Sequence, residues 1–124
     1  MSTATRQFGM DGESLAAEFL RKRGYRILER NYRTSRGEMD IVAEEGGALV
    51  FVEVKARRGA RFGGTHDAVG WRKQQQLIRV ASHYIAVNRI QNRDCRFDLV
   101  LISESPLRKK QIDLVRNAFE VPPC

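Results

Sequence analysis

The sequence predicts a mixed α/β (α+β) domain in which a central mixed sheet is flanked by helices. Two segments, at about residues 11–23 and 67–87, have the apolar spacing of amphipathic helices. Three runs with strand-like alternation lie between them, and two more follow. The predicted order is therefore α-β-β-β-α-β-β. The 124 residues are enough for one domain, 1–124, with a hydrophobic core, and we expect residues 9–119 to be its ordered part.

The glycine and turn residues between these segments set the expected bounds of the helices and strands. The first helix is predicted from Asp11 or Gly12 to Arg23, where Gly24 ends it, and residues 1–9 are expected to be frayed. The strands are predicted at residues 25–33, 38–43, 48–57, 96–102 and 111–119, and Glu-Glu-Gly-Gly at 44–47 joins the second to the third. The third strand is apolar on both faces, which predicts a central position in the sheet.

Ionisable residues stand at the ends of the second and third predicted strands. Glu38 and Asp40 open the second strand, and Glu53 and Lys55 close the third. Residues two apart in a strand share a face, and a hairpin begins and ends at one place, so these four are expected to crowd together. Because buried charges must be paired or bind metal, we predict a divalent-cation site here. The alternative is a simple ion pair between Glu53 and Lys55 at a strand end.

Two helical residues are further candidates for this site. Glu13 lies at the edge of the apolar stripe of the first helix, so it either joins the site or is a first-turn residue favoured by the helix dipole. Lys73, near the start of the second helix, could reach back toward the site. Trp71 is expected to be a packing residue rather than a platform for a stacked base.

The charge and the cysteine content narrow the function. A net charge of +7 and a pI near 10 indicate a polyanionic partner, nucleic acid before an anionic membrane. No run approaches the ~20 apolar residues of a membrane span, and the chain begins without an apolar secretory segment, so we expect a cytoplasmic location and no membrane partner. Cys95 and Cys124 lack metal-site spacing and are expected to be reduced thiols without a chemical role.

A basic glycine-rich loop follows the third predicted strand. Glycine allows backbone to approach a ligand closely, and arginine suits phosphate, so this loop either contacts a nucleic-acid backbone or is a mobile solvated segment. The candidate nucleic-acid-binding residues are Arg36, Arg57, Arg58, Arg61 and Lys73.

The element order and the signature Gly37-Glu38-x-Asp40-Ile-Val, followed by Phe51-Val-Glu53-Val-Lys55, resemble the PD-(D/E)xK nuclease superfamily. Glu13, Asp40, Glu53 and Lys55 fall where archaeal-type Holliday junction resolvases carry site residues. Over residues 9–119 the chain is more similar still to the YraN-type family of small endonuclease-like proteins. The further matching stretches are Gly12-Glu13-x-x-Ala16, Gly24-Tyr25-x-Ile27-Leu28-x-x-Asn31-x-Arg33, Lys73 and Arg96-Phe97-Asp98.

This resemblance implies a restriction-endonuclease-like core and a metal-dependent endonuclease that hydrolyses phosphodiester bonds. Asp40, Glu53, the backbone carbonyl of Val54 and Glu13 would hold the metal, and hard oxygen ligands suit Mg²⁺ or Mn²⁺ rather than zinc. Lys55 would orient the attacking water or stabilise the phosphate. Gly37-Glu38 stands where many members have Pro before the motif Asp, so Glu38 is either an extra ligand or a supporting residue. Lys73 is expected to be a supporting residue.

The expected substrate is DNA, bound mainly through its phosphates, because no base-reading element is evident. Branched DNA is the first substrate to consider, and cutting two strands would require a homodimer. Two other functions remain open. One is a non-catalytic nucleic-acid-binding module that keeps the nuclease fold, and the other is an RNA- or ribosome-associated protein.

Overall fold

The computed structural model describes residues 3–58, 69–104, 107 and 110–119, and within the first range the side chains of residues 12–56. These residues form two helices and five strands in the predicted order, which confirms the mixed α/β class. The elements are α1 (Thr3–Lys22), β1 (Arg26–Thr34), β2 (Gly37–Glu45), β3 (Ala48–Arg58), α2 (Trp71–Val87), β4 (Cys95–Glu104) and β5 (Lys110–Phe119).

The five described strands form one sheet in the order β1-β2-β3-β4-β5. Neighbouring strands are antiparallel except β3 and β4, which run parallel and are separated in the chain by α2. Parallel neighbours need a crossover connection, and α2 lies in it. In this strand order β3 is the central strand, as its apolar faces predicted.

Each face of the sheet is covered by one helix and its own apolar core. The α1 face contains Leu20, Val50, Val52 and Val100. The α2 face contains Phe51, Leu77, Leu99 and Tyr84, where Tyr84 meets the Phe51 ring edge-on at 5.9 Å. Side chains that alternate along β3 thus enter different cores, and Glu53 continues the alternation of Phe51 on the α2 face.

Three expectations about local structure are wrong. α1 begins at Thr3 and not near Asp11, since no proline interrupts this stretch and a packed helix extends by one hydrogen bond per added residue. α2 begins at Trp71 and not at Asp67, a residue outside the described ranges. Cys95 is disulfide-bonded and not a reduced thiol, because sequence spacing does not reveal which sulfur atoms meet in space.

No helix among the described residues combines the length and the apolar character needed to cross a bilayer.

Candidate functional site

The carboxyl groups of Asp40 and Glu53 meet at the open end of the β2–β3 hairpin. The paired register of these strands ends at Ile41 and Val52, so Asp40 and Glu53 are the next opposed residues. Glu53 is 8% exposed and Asp40 is partly buried. Burial, then the charge of Glu53 and a hydrogen bond to it, raise the pKa of Asp40 to about 7. The site therefore holds two adjacent acids, and the pKa of one of them lies close to neutral pH.

The position of Asp40 is fixed by the backbone of the neighbouring strand. The N–H of Val54 donates to Asp40 Oδ2 over 2.8 Å, which partly offsets the rise in the pKa of Asp40. In antiparallel pairing the N–H and C=O of one residue point to the same side of the strand. The Val54 carbonyl therefore points toward the side of β3 on which Asp40 lies, beside the carboxyl pair.

Lys73 is the lysine that contacts this pair. Its ammonium group lies 3.3 Å from Glu53 Oε2, and Glu53 carries only 10% side-chain exposure against 36% for Lys73. Lys55 is partly buried on β3, and none of the described residues forms an ion pair with it. The alternative of an ion pair between Glu53 and Lys55 is therefore wrong, because Glu53 pairs with a lysine from α2.

Glu38 and Glu13 each pair with side chains from β1. Glu38 is half-exposed and accepts a hydrogen bond from Arg33 Nε at 3.1 Å, although its charge adds to the rise in the pKa of Asp40. Glu13 Oε2 accepts from Asn31 Nδ2 at 3.0 Å. Within the described part of the chain, no group of three or more His, Cys, Asp or Glu residues lies close enough to hold a metal ion. The expected crowding of charged residues is thus reduced to Asp40 and Glu53, with Lys73 added.

Asn31 is a residue whose place in the site the sequence did not reveal. The pairs Arg30–Ile41 and Tyr32–Met39 on either side of it put Asn31 opposite Asp40. Its φ is 54°, a left-handed conformation in which asparagine is enriched. Asn31 thus lies opposite Asp40 in the sheet, and its hydrogen bond to Glu13 connects this position to α1. The available signal was the residue type, because few side chains adopt this conformation readily.

The predicted nucleic-acid contacts are only partly within the described residues. Arg36 is exposed in the turn between β1 and β2, and its carbonyl accepts from Gln76 Nε2 at 3.2 Å. The side chains of Arg57 and Arg58, and the whole of Arg61, lie outside the described residues. Arg36 and Lys73 therefore place positive charge at the end of the sheet that carries Asp40 and Glu53.

A second polar cluster lies on the α1 face, and sequence reasoning assigned it no role. Asp98 is 2% exposed and accepts from Tyr25 Oη at 2.6 Å, from Arg96 Nε at 3.0 Å and from the Asn117 N–H at 2.9 Å. Arg96 also donates to Glu45 at 2.8 Å. Burial and the bond to Asp98 raise the pKa of Tyr25 to about 12. Asp98 is fully paired, so this cluster joins β4, β5 and the start of β1.

A family model described as "Uncharacterised protein family UPF0102" matches residues 12–102. The chain belongs to the UPF0102 family. This membership agrees with the resemblance to the YraN-type family. The matched residues, 12–102, include Asp40 and Glu53 as well as Tyr25 and Asp98.

Curated UPF0102 proteins match nearly the whole chain. A UPF0102 protein of Alkaliphilus metalliredigens is 45% identical over 115 residues, which cover 93% of this chain and 99% of the relative. One of Symbiobacterium thermophilum is 47% identical, with 93% and 98% covered. One of Nitrosomonas europaea is 44% identical, with 90% and 92% covered. Among solved structures, Pyrococcus furiosus SfsA in complex with Ca²⁺ matches with a TM-score of 0.38 and 13% identity, over 94% of this chain and 65% of that chain.

Proposed function

We propose that this UPF0102 protein is a Mg²⁺- or Mn²⁺-dependent endonuclease that hydrolyses phosphodiester bonds in DNA in the cytoplasm. The observation that carries the proposal is the contact between the carboxyl groups of Asp40 and Glu53. Burial and the negative charge of the adjacent Glu53 carboxyl group raise the pKa of Asp40 to about 7. A divalent cation between them would reverse this effect, since a nearby positive charge favours the ionised form of both. The resemblance to PD-(D/E)xK nucleases supports the same reading.

The donor set on this side of β3 fits a hard cation. Asp40, Glu53 and the Val54 carbonyl offer oxygen atoms only, and Mg²⁺ and Mn²⁺ prefer oxygen ligands. Mg²⁺ usually keeps several waters, so two carboxylates and a carbonyl suffice. Glu13 would act on a second ion or on a bound water, because its carboxylate is held by Asn31. Glu38 would support the site through its charge.

The residues around the pair would divide the work of hydrolysis. When bound, the ion would lower the pKa of a water molecule and offset charge on the phosphate. Lys73 would stabilise charge on the phosphate from the side of Glu53. Lys55, on the same face of β3 as Glu53, would orient the attacking water or hold the phosphate. Asp40 and Glu53 would both be ionised in this state.

The substrate would be bound by its backbone rather than read by its bases. The net charge of +7 favours a polyanionic substrate. Arg36 and Lys73 lie at the end of the sheet that carries the carboxyl groups of the site. Arg57, Arg58 and Arg61 would extend this contact along the glycine-rich loop. We propose branched DNA as the first substrate, with a homodimer where two strands are cut.

Cleavage of labelled linear, flapped, single-stranded and four-way-junction DNA should be measured while Mg²⁺ or Mn²⁺ is titrated. We expect the parent to cleave at least one shape, and Asp40→Asn and Glu53→Gln to lose on the order of 100-fold or more in rate. Glu18→Gln, an exposed acid on α1, is the matched control and should cleave as the parent does. Cleavage that survives both Asp40→Asn and Glu53→Gln would overturn the proposal.

Metal binding has a readout that is independent of cleavage. Calorimetric titration of Mn²⁺ or Ca²⁺ without DNA should show one saturable event for the parent and for Glu18→Gln. Asp40→Asn should bind at least about tenfold more weakly, because a carboxylate ligand is replaced by a neutral amide. Equal binding by the parent and Asp40→Asn would remove the metal from the proposal.

One observation favours a second function, a non-catalytic module that binds DNA or RNA. Lys73 already neutralises Glu53, and no third acidic ligand joins the pair among the described residues. Such a module would bind nucleic acid in a salt-sensitive manner, with no metal-dependent turnover of any DNA or RNA tested. The cleavage panel, extended by a structured RNA, separates the two functions.

A further inference from the structure

Trp71 is an exposed aromatic residue in the first turn of α2, the turn that also carries Lys73. Its relative exposure is 72%, so the expectation that it packs is wrong. Among the described residues, the other exposed large hydrophobics are Val87, at the far end of α2, and Leu107, between β4 and β5. Trp71 differs from both because it is aromatic and lies in the same turn of α2 as Lys73. Residues two apart on a helix lie on different sides of its axis, so Lys73 faces the sheet and the Trp71 ring faces solvent. Lys73 in turn contacts Glu53.

Single exposed apolar side chains are common on proteins and need a further reason to be called a site. Here the reason is the charge around the ring. Arg72 is exposed next to Trp71, Lys73 follows it, and the first turn of α2 has no acidic residue. Arg36 is exposed in the neighbouring β1–β2 turn. An aromatic ring among cations is the arrangement on which single-stranded nucleic acid stacks its bases.

The surface that carries Trp71 is held in place on two sides. Gln74 Nε2 donates to the Val69 carbonyl at 2.9 Å, which ties the first turn of α2 to the residues before it. Gln76 Nε2 donates to the Arg36 carbonyl at 3.2 Å, which ties α2 to the β1–β2 turn. The backbone at Trp71 therefore keeps a fixed position relative to the β1–β2 turn and Arg36.

We propose that Trp71 stacks against an unpaired base of the DNA strand whose phosphate approaches Asp40 and Glu53, in a nucleotide that lies on the solvent side of α2. This inference rests on the proposed function and adds to it a substrate class, DNA with an unpaired base near the scissile phosphate. Fully paired DNA keeps its bases stacked on each other and offers Trp71 no free face. Single-stranded, flapped or junction DNA offers one.

The test uses the fluorescence of Trp71, which is the only tryptophan of the chain. The protein, in EDTA so that no metal-dependent cleavage occurs, is titrated with a thymidine oligonucleotide and with a blunt-ended duplex of two complementary strands, of equal phosphate number, at one salt concentration. Binding is followed in parallel by anisotropy of a label on the DNA. We expect the single strand to quench Trp71 in step with binding, and the duplex to bind with little quenching.

Substitution separates stacking from general attraction. Trp71→Ala should weaken binding of the single strand about fivefold to 150-fold and leave duplex binding unchanged, and Trp71→Phe should recover most of the loss. Leu107→Ala, which removes a comparably exposed apolar side chain, should bind both DNAs as the parent does. Circular dichroism of each variant checks that it is folded.

Several outcomes would overturn the proposal. These are a saturated single-strand complex without quenching, an equal loss for both DNAs in Trp71→Ala, no binding of either DNA, and tighter binding of a uridine than of a thymidine oligonucleotide. Quenching and stacking without cleavage would leave this inference standing and remove the catalytic function. Cleavage without quenching would do the reverse.

Discussion

The ammonium group of Lys73 lies 3.3 Å from Glu53 Oε2 and joins the first turn of α2 to the end of β3. Lys55 is only two residues from Glu53 but makes no such contact with it. An opposite charge favours the ionised form of an acid, so Lys73 stabilises the Glu53 carboxylate. The charge of Glu53 is, after burial, the largest cause of the raised pKa of Asp40. The docking of α2 therefore places a positive charge on the carboxylate that faces Asp40.

Lys73→Met should lower the free energy of unfolding by about 1 kcal/mol, because it keeps the apolar stem and removes the partner of Glu53. Urea unfolding at pH 8 measures the change. Arg72→Met, at an exposed neighbour, is the matched control and should shift stability by less than about 0.5 kcal/mol. Equal losses in the two variants would mean that the contact with Glu53 contributes nothing specific.

Stability should depend on pH through Asp40. The pKa of Asp40 is raised from 3.8 to about 7 in the folded protein, so between these values the folded state keeps a proton that the unfolded state releases. The contribution of Asp40 is therefore full below pH 4 and is lost as pH rises through 7, with a slope of up to about 1.4 kcal/mol per pH unit. Urea unfolding between pH 4 and pH 8 tests this slope.

Asp40→Asn is the variant that isolates this effect. Asparagine cannot ionise, so the stability of this variant should lack that slope. When each protein is compared with its own stability at pH 4, Asp40→Asn should lose less stability by pH 8 than the parent does. Asp113→Asn, at an exposed aspartate on β5, should keep the slope of the parent. A slope that persists in Asp40→Asn would assign the effect to another group.

Gly37→Ala should destabilise the turn between β1 and β2 by about 1–3 kcal/mol. Gly37 has a φ of 141°, and an added Cβ would lie 2.6 Å from Gln76 Nε2, the group that bonds the Arg36 carbonyl. Thermal unfolding measures the loss. Gly70→Ala is the matched control, since its Cβ would meet nothing within 4 Å and its φ is −71°, and it should stay within about 0.5 kcal/mol. A similar loss in both variants would contradict the steric explanation.

Asp98→Ala should lower the free energy of unfolding by about 3–5 kcal/mol, because it leaves the partly buried Arg96 guanidinium and the Tyr25 hydroxyl without their shared acceptor. Tyr25→Phe, which removes one donor only, should cost about 1 kcal/mol. Asp113→Ala serves as the exposed counterpart and should change little. A loss below about 1 kcal/mol in Asp98→Ala would show that the cluster is not a structural joint.

The parts of the site that follow from local periodicity were predictable. Apolar alternation and the Glu-Glu-Gly-Gly turn fixed the β2–β3 hairpin, and the period of two then placed Asp40 opposite Glu53. The same reasoning predicted Glu38 beside the pair, and the structure adds that Arg33 from β1 pairs with Glu38 while the charge of Glu38 contributes to the raised pKa of Asp40. Alternation along one hairpin carries no information about what the next strand offers.

The remaining parts depend on tertiary contacts that periodicity does not encode. The choice of Lys73 over Lys55 depends on how α2 docks, and the bond from Tyr25 to Asp98 spans 73 residues of sequence. The left-handed conformation of Asn31 within β1 is a local feature, but the residue type alone makes it permitted rather than required. The exposure of Trp71 was missed because a helical tryptophan is ordinarily buried in large part.

The bond from the Val54 N–H to Asp40 Oδ2 also bears on how a ligand would reach the carboxyl pair. The strands β2 and β3 have already parted at this point, beyond Ile41 and Val52, and a side chain rather than a strand receives the amide. An incoming ion or phosphate would therefore break no backbone hydrogen bond between β2 and β3. Its arrival would be governed by diffusion and desolvation, and the central strands need not open to admit it.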